Sequence, residues 1–71
     1  MKYLVIEIQT AADGTVAPLL TVHDTQAEAE QKYHQVLSFA SVSDLAYHSA
    51  AMLTDQGDWV KSETYNHEAA V

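Results

Sequence analysis

A chain of 71 residues holds one domain, and a domain of that size buries only roughly 60% of the surface its unfolded chain exposes, so its core is small. Ten acidic residues against three lysines, with no arginine, give a net charge of −7, which argues against direct binding of nucleic acid through phosphate neutralisation and leaves room for a basic protein partner or for nucleic-acid mimicry. There is no cysteine, so neither disulfides nor thiolate metal sites can staple the fold; small domains without staples gain burial by self-association, and a homo-oligomer is expected.

Residues 2–10 read as a strand in which Leu4, Ile6 and Ile8 share one face while Tyr3, Val5, Glu7 and Gln9 share the other. Its polar positions, and its shortness, rule out reading it as a signal peptide, and no stretch approaches transmembrane length, so a cytoplasmic protein is expected. Ala12-Asp13-Gly14-Thr15 is a turn, with Gly14 able to take positive φ. Val16 to His23 follows as a strand whose Pro18 argues for an edge position or a start at Leu19.

Thr25 to Ala40 reads as a helix. Thr25 and Glu28 have the spacing of a capping box, and Ala29, Tyr33, Val36, Leu37 and Ala40 make one apolar stripe. Glu28, Gln31, Lys32 and Gln35 fall on the opposite side, and Glu28 and Lys32 stand four apart in the favourable order. The segment 41–44 connects to a stretch, 45–54, whose alanines favour helix and whose alternation favours strand. The turn sequence Asp55-Gln56-Gly57-Asp58 and the partner strand Trp59 to His67 decide for strand. Residues 68–71 read as a loose tail. The sum is an α+β domain spanning 1–71, β-β-α-β-β: a four-stranded, mainly antiparallel sheet with one helix packed on one face.

A hairpin centred on Gln56-Gly57 sets Leu53 opposite Val60, Ala51 opposite Ser62 and Ser49 opposite Thr64. That face is apolar near the turn and small beyond it, as a close-packed helix requires, and with Leu4, Ile6 and Ile8 it is assigned to the helix side. The other face sets Thr54 opposite Trp59, Met52 opposite Lys61, Ala50 opposite Glu63 and His48 opposite Tyr65, with His67 diagonal to His48 and Tyr3, Val5 and Glu7 alongside. One helix cannot cover it, and Trp, Tyr, Met and His are residue types enriched at interfaces. Trp59, Lys61, Tyr65, His48, Met52 and Tyr3, with Lys32 and His34 at the margin, are therefore the candidate ligand-binding or interface residues. The bland alternative is a half-solvated face on which aromatics pair across strands.

No chemistry announces itself. The histidines lack H-x-x-x-H or H-E-x-x-H spacing, so no metal site is assigned, although His48, His67 and Glu63 nearly converge. The two glycines lie in turns, so no phosphate loop exists; G-x-S-x-G and any recognisable Ser-His-carboxylate order are absent. No catalytic residue and no cofactor are assigned, and a binding protein is expected rather than an enzyme.

The segments HDTQAEAEQKYH (23–34) and TDQGDWVKSETYNH (54–67) resemble, in general character, short uncharacterised proteins encoded by bacterial prophages and mobile elements. The resemblance covers most of the chain and transfers no functional residue. It implies a non-enzymatic accessory protein in the cytoplasm of a host bacterium, of the kind that counters host defences. Some such proteins are oligomers that sequester nucleotide signals between protomers; others are acidic and block a nucleic-acid-binding effector. Two expectations follow. In the first, an oligomer sequesters a nucleotide-like ligand in an inter-protomer pocket, with Trp59 and Tyr65 stacking and Lys61 or Lys32 meeting phosphate. In the second, an acidic inhibitor or adaptor of a host protein acts through protein–protein contacts and has no pocket.

Overall fold

The computed structural model describes residues 1–67, and the expected tail at 68–71 lies outside them. The order is β1 (Tyr3–Thr10), β2 (Val16–His23), α1 (Gln26–Ala40), β3 (Tyr47–Thr54) and β4 (Trp59–Asn66). All strand pairs are antiparallel, in the spatial order β2-β1-β3-β4. The α+β class, the element order and the strand reading of the ambiguous alanine-rich stretch are as expected from the sequence; β3 begins at Tyr47 rather than Leu45.

Local chemistry sets the boundaries. Gly14 takes φ 91° in the β1–β2 turn, where the Asp13 carboxylate accepts from the Thr15 N–H at 2.9 Å. Thr25 is the helix N-cap: its Oγ1 accepts from the Glu28 N–H at 3.2 Å. The Glu28 carboxylate reaches back to the Thr25 hydroxyl at 3.3 Å, a variant of the box in which the side chains meet directly. Pro18 sits on edge strand β2, where a missing N–H costs no ladder bond that the sheet needs.

The β3–β4 hairpin departs from expectation at its tip. The Thr54 N–H donates to Asp58 O at 2.8 Å and the Gly57 N–H to Thr54 O at 3.0 Å, so the loop has three residues rather than two. Gly57 takes φ 86° within it. A bulge between Met52 and Leu53 then sets Trp59 opposite Leu53, not opposite Thr54. Beyond the bulge the register is as read from the sequence: Met52–Lys61, Ala51–Ser62, Ala50–Glu63, Ser49–Thr64 and His48–Tyr65.

The larger correction concerns the helix. The buried stripe Ala29, Tyr33, Val36 and Ala40 packs with Val5, Ala50 and Met52. It does not pack with Leu4, Ile6 and Ile8. Helix α1 therefore covers the face that the sequence reading left open, and the face expected beneath it is the open one. The topology explains this. Strands β2 and β3 are parallel to each other and are joined by α1 across β1. Crossovers of that kind take the right hand in nearly all proteins, so the strand order, not relative hydrophobicity, selects the face the helix can occupy. Small residues at the contact, Ala29 against Ala50 in the same cluster, both fully buried, let the two layers approach.

Because Ala50 lies under the helix and Ala51 on the open face, the same substitution distinguishes them. Ala50→Leu overpacks the contact and lowers stability by about 2 kcal/mol, whereas Ala51→Leu leaves it within about 0.5 kcal/mol or better. Urea unfolding of both variants checks the assignment; an Ala51→Leu cost larger than that of Ala50→Leu would contradict it.

Candidate functional site

The two sheet faces differ in kind. On the helix side, Glu7 of β1 and His48 of β3 form a polar connection beneath α1. The His48 side chain is 4% exposed and that of Glu7 16%. His48 Nε2 lies 2.6 Å from Glu7 Oε2 and its Nδ1 lies 3.1 Å from Ser43 Oγ. Facing the carboxylate, the imidazole donates from Nε2 to Glu7, and its Nδ1 bonds the Ser43 hydroxyl. Gln9 Nε2 donates to the same Glu7 oxygen at 2.9 Å. Partial burial pushes the Glu7 carboxyl up, but the bonds from Gln9 and His48, with the charges of His48 and Lys32, outweigh it and hold the carboxyl below its usual range. The connection ties β1, β3 and the α1–β3 loop together. Ser43 and His48 stand close in the chain, but Glu7 comes from β1, 41 residues before His48, which is why no Ser-His-carboxylate pattern shows in the sequence.

Farther along the same face, Lys61 of β4 reaches Glu30 of α1. Its Nζ donates to Oε2 at 2.7 Å and also touches Oε1, while lying 4.9 Å from the centroid of the Tyr33 ring. Burial pushes the Tyr33 phenol up, with Glu63 acting in the same direction. Tyr65 stacks on His67 with ring centroids 6.3 Å apart, and His67 Nε2 donates to Ala40 O at 2.8 Å, so His67 closes the helix end rather than joining His48.

The open face carries four rows of cross-strand neighbours from β2 to β4: Val22, Leu4, Leu53, Trp59; Leu20, Ile6, Ala51, Ser62; Pro18, Ile8, Ser49, Thr64; and Val16, Thr10, Tyr47, Asn66. None of the sixteen is charged or a histidine. The apolar side chains concentrate on β1, β2 and the first row. Leu20 and Val22 are each 57% exposed and Trp59 65%. Leu4, Ile6, Ile8 and Leu53 are half-buried, since the sheet itself and their neighbours cover them in part.

A third feature is an open depression of about 540 Å³ between the end of β2 and the helix, lined by His23, Glu28, Gln31, Lys32, His34 and Gln35.

The eight residues singled out from the sequence do not form one surface. Met52 is fully buried and His48 nearly so, both under the helix. Tyr3 packs against the core, and Lys61 is tied to Glu30. Tyr65 is half-buried against His67. Trp59 alone lies in register with the open face, brought there by the bulge. Lys32 and His34 line the depression together, with no aromatic ring but their own histidine neighbours. The surface missed was the one built from Leu4, Ile6, Ile8, Leu20 and Val22; its signal was the lack of any charge at every second position of β1 and β2. No cluster of three or more metal-ligating side chains occurs among the described residues, and no helix among them is long and apolar enough to cross a membrane. No family model, curated protein or solved structure matches the chain.

The Glu7–His48 pair generates two tests. His48→Ala leaves a largely buried carboxylate short of a partner and costs about 3 kcal/mol. Because the native Glu7 pKa is lowered, its contribution is complete above the ordinary carboxyl value of 4.5 and is lost as pH falls through the lowered native value. The stability difference between wild type and Glu7→Gln, measured by urea unfolding, therefore shrinks on acidification through that window. A difference that stays constant from neutral pH to pH ~3 would show that Glu7 is not held ionised by this environment.

Proposed function

We propose that the protein acts by binding rather than by catalysis, as an adaptor or inhibitor working through protein–protein contact, and that its contact surface is the uncharged face of the sheet. The observation that carries this reading is the arrangement of side chains. Leu4, Ile6, Ile8, Leu20 and Val22 stand on the face the helix does not reach, and among the described residues every charge lies elsewhere. An apolar, charge-free surface of this extent on a soluble-type fold marks a site of contact with another chain. The likeness to small prophage-encoded proteins supports an accessory role of this kind in a host bacterium.

The depression beside α1 favours a second reading, in which the protein sequesters a nucleotide-like anion and so counters host defence signalling. Lys32 and the ring nitrogens of His23 and His34 supply its donors. Trp59, Tyr65 and Lys61, expected to complete such a pocket, are not among its lining residues.

A thermal-shift panel of mono-, di- and cyclic nucleotides separates the two. The protein-contact reading expects no rise in melting temperature with any nucleotide. A rise that grows with ligand concentration and is removed by Lys32→Ala would overturn it in favour of sequestration.

A further inference from the structure

We infer that the occupant of the open sheet face is a second copy of this chain, packed sheet on sheet about a two-fold axis, with the helices outermost. This rests on the reading of that face as the contact surface and names the partner.

Charge is the first argument. Each copy carries −7, so two copies can meet closely only where neither presents an acid. The ten acidic residues include Glu7 and Glu63 on the helix side and Glu28 and Glu30 on the helix. Asp13, Asp24, Asp44, Asp55 and Asp58 lie in turns and connections, and Glu68 lies beyond the described residues. Lys2 pairs with Asp24 at the sheet's end, and Lys32 and Lys61 are on the helix side. The open face is thus the surface on which like-charged copies can approach without opposing charges. A basic partner would find no counter-charge there and would meet the acids of the helix side and the turns instead.

Size is the second argument. Strands of eight residues and a sheet of four strands give a flat footprint of roughly 500 Å² at the usual rise and spacing. Side-chain relief brings this toward the roughly 800 Å² per partner of a standard stable interface. The protomer's own core is slight: of the eight buried apolar residues among those described, Ala29, Ala40, Ala46 and Ala50 are alanines, while Leu4, Ile6, Ile8 and Leu53 remain partly exposed. A second layer is what such a sheet lacks.

Form is the third. Two twisted antiparallel sheets pack face to face about 10 Å apart, their strands offset by about 30°, through interdigitating aliphatic side chains. The Leu/Ile/Val rows on β1 and β2 supply those, and a two-fold contact requires the same patch on both copies to be self-complementary, as an uncharged aliphatic patch is.

The test uses sedimentation analysis of the full chain across a micromolar concentration series, with circular dichroism to report the fold. The expected result is a dimer for wild type and for Gln35→Lys on the outer helix, and a folded monomer for Leu20→Lys. Leu20 is 57% exposed in the protomer, so lysine is compatible with the fold there. Trp59→Lys, at a position 65% exposed, repeats the test if the first variant does not fold. A wild-type monomer, or a dimer that survives both substitutions, overturns the inference. In that case an environment-sensitive dye separates the two levels. Fluorescence enhancement that Leu20→Lys removes means the face is a contact surface for a different chain, and no enhancement means that reading falls as well.

Discussion

One helix can cover only one of the two faces of a sheet, and in this fold the choice is made by topology. The chain leaves β2, crosses over β1 through α1 and enters β3 parallel to β2. The hand of that crossover fixes the side on which the helix lies. Everything else adjusts to it: the face beneath the helix is built from alanines, Val5 and Met52 with a buried polar connection, and the face away from it holds Leu4, Ile6, Ile8, Leu20 and Leu53. The more apolar face is thereby the uncovered one, an inversion of the ordinary amphipathic sheet, and it is on this inversion that the proposed contact surface rests.

The helix side shows how a polar sheet face becomes an interior. Glu7 and His48 would be costly to bury singly. Together with Gln9 and Ser43 they satisfy one another, and Lys32 adds its charge to the balance that keeps Glu7 ionised. Lys61 behaves in the same way at the other strand edge, where its ammonium meets Glu30 and lies over the Tyr33 ring. Their geometry assigns Glu7 and His48 to tying β1, β3 and the α1–β3 loop together, and Lys61 to holding the helix on the sheet.

Much of the fold was legible because its signals are local. The Thr25–Glu28 cap, the stripe Ala29-Tyr33-Val36-Ala40 and the positive-φ glycines at 14 and 57 each determine an element or a turn within a few residues. The β3–β4 register followed from the turn and failed only at its tip, where a three-residue loop with a bulge replaced a two-residue one and carried Trp59 to the other face. The face under the helix was not legible, because it depends on the strand order, which is a non-local property. The small residues Ala51 and Ser49 met the expectation for a helix contact as well as Ala50 did. The polar character of Glu7, His48 and Lys61 read as exposure, since Glu7 is matched to His48, and Lys61 to Glu30, only in three dimensions. The candidate site inherited that error: six of its eight residues were placed on a face that the helix covers, and only Trp59 reached the open one.

The account stands on the claim that the Leu4–Ile6–Ile8 face is buried between two copies. Isotope-filtered nuclear Overhauser spectroscopy on a mixture of labelled and unlabelled protein observes this directly, because only contacts between copies give signals. The account predicts intermolecular contacts among the methyl groups of Leu4, Ile6, Leu20, Val22 and Leu53, with none from Ala29, Val36 or Met52 beneath the helix. Intermolecular contacts confined to helix residues such as Phe39, or none at concentrations where the protein is folded, would contradict it.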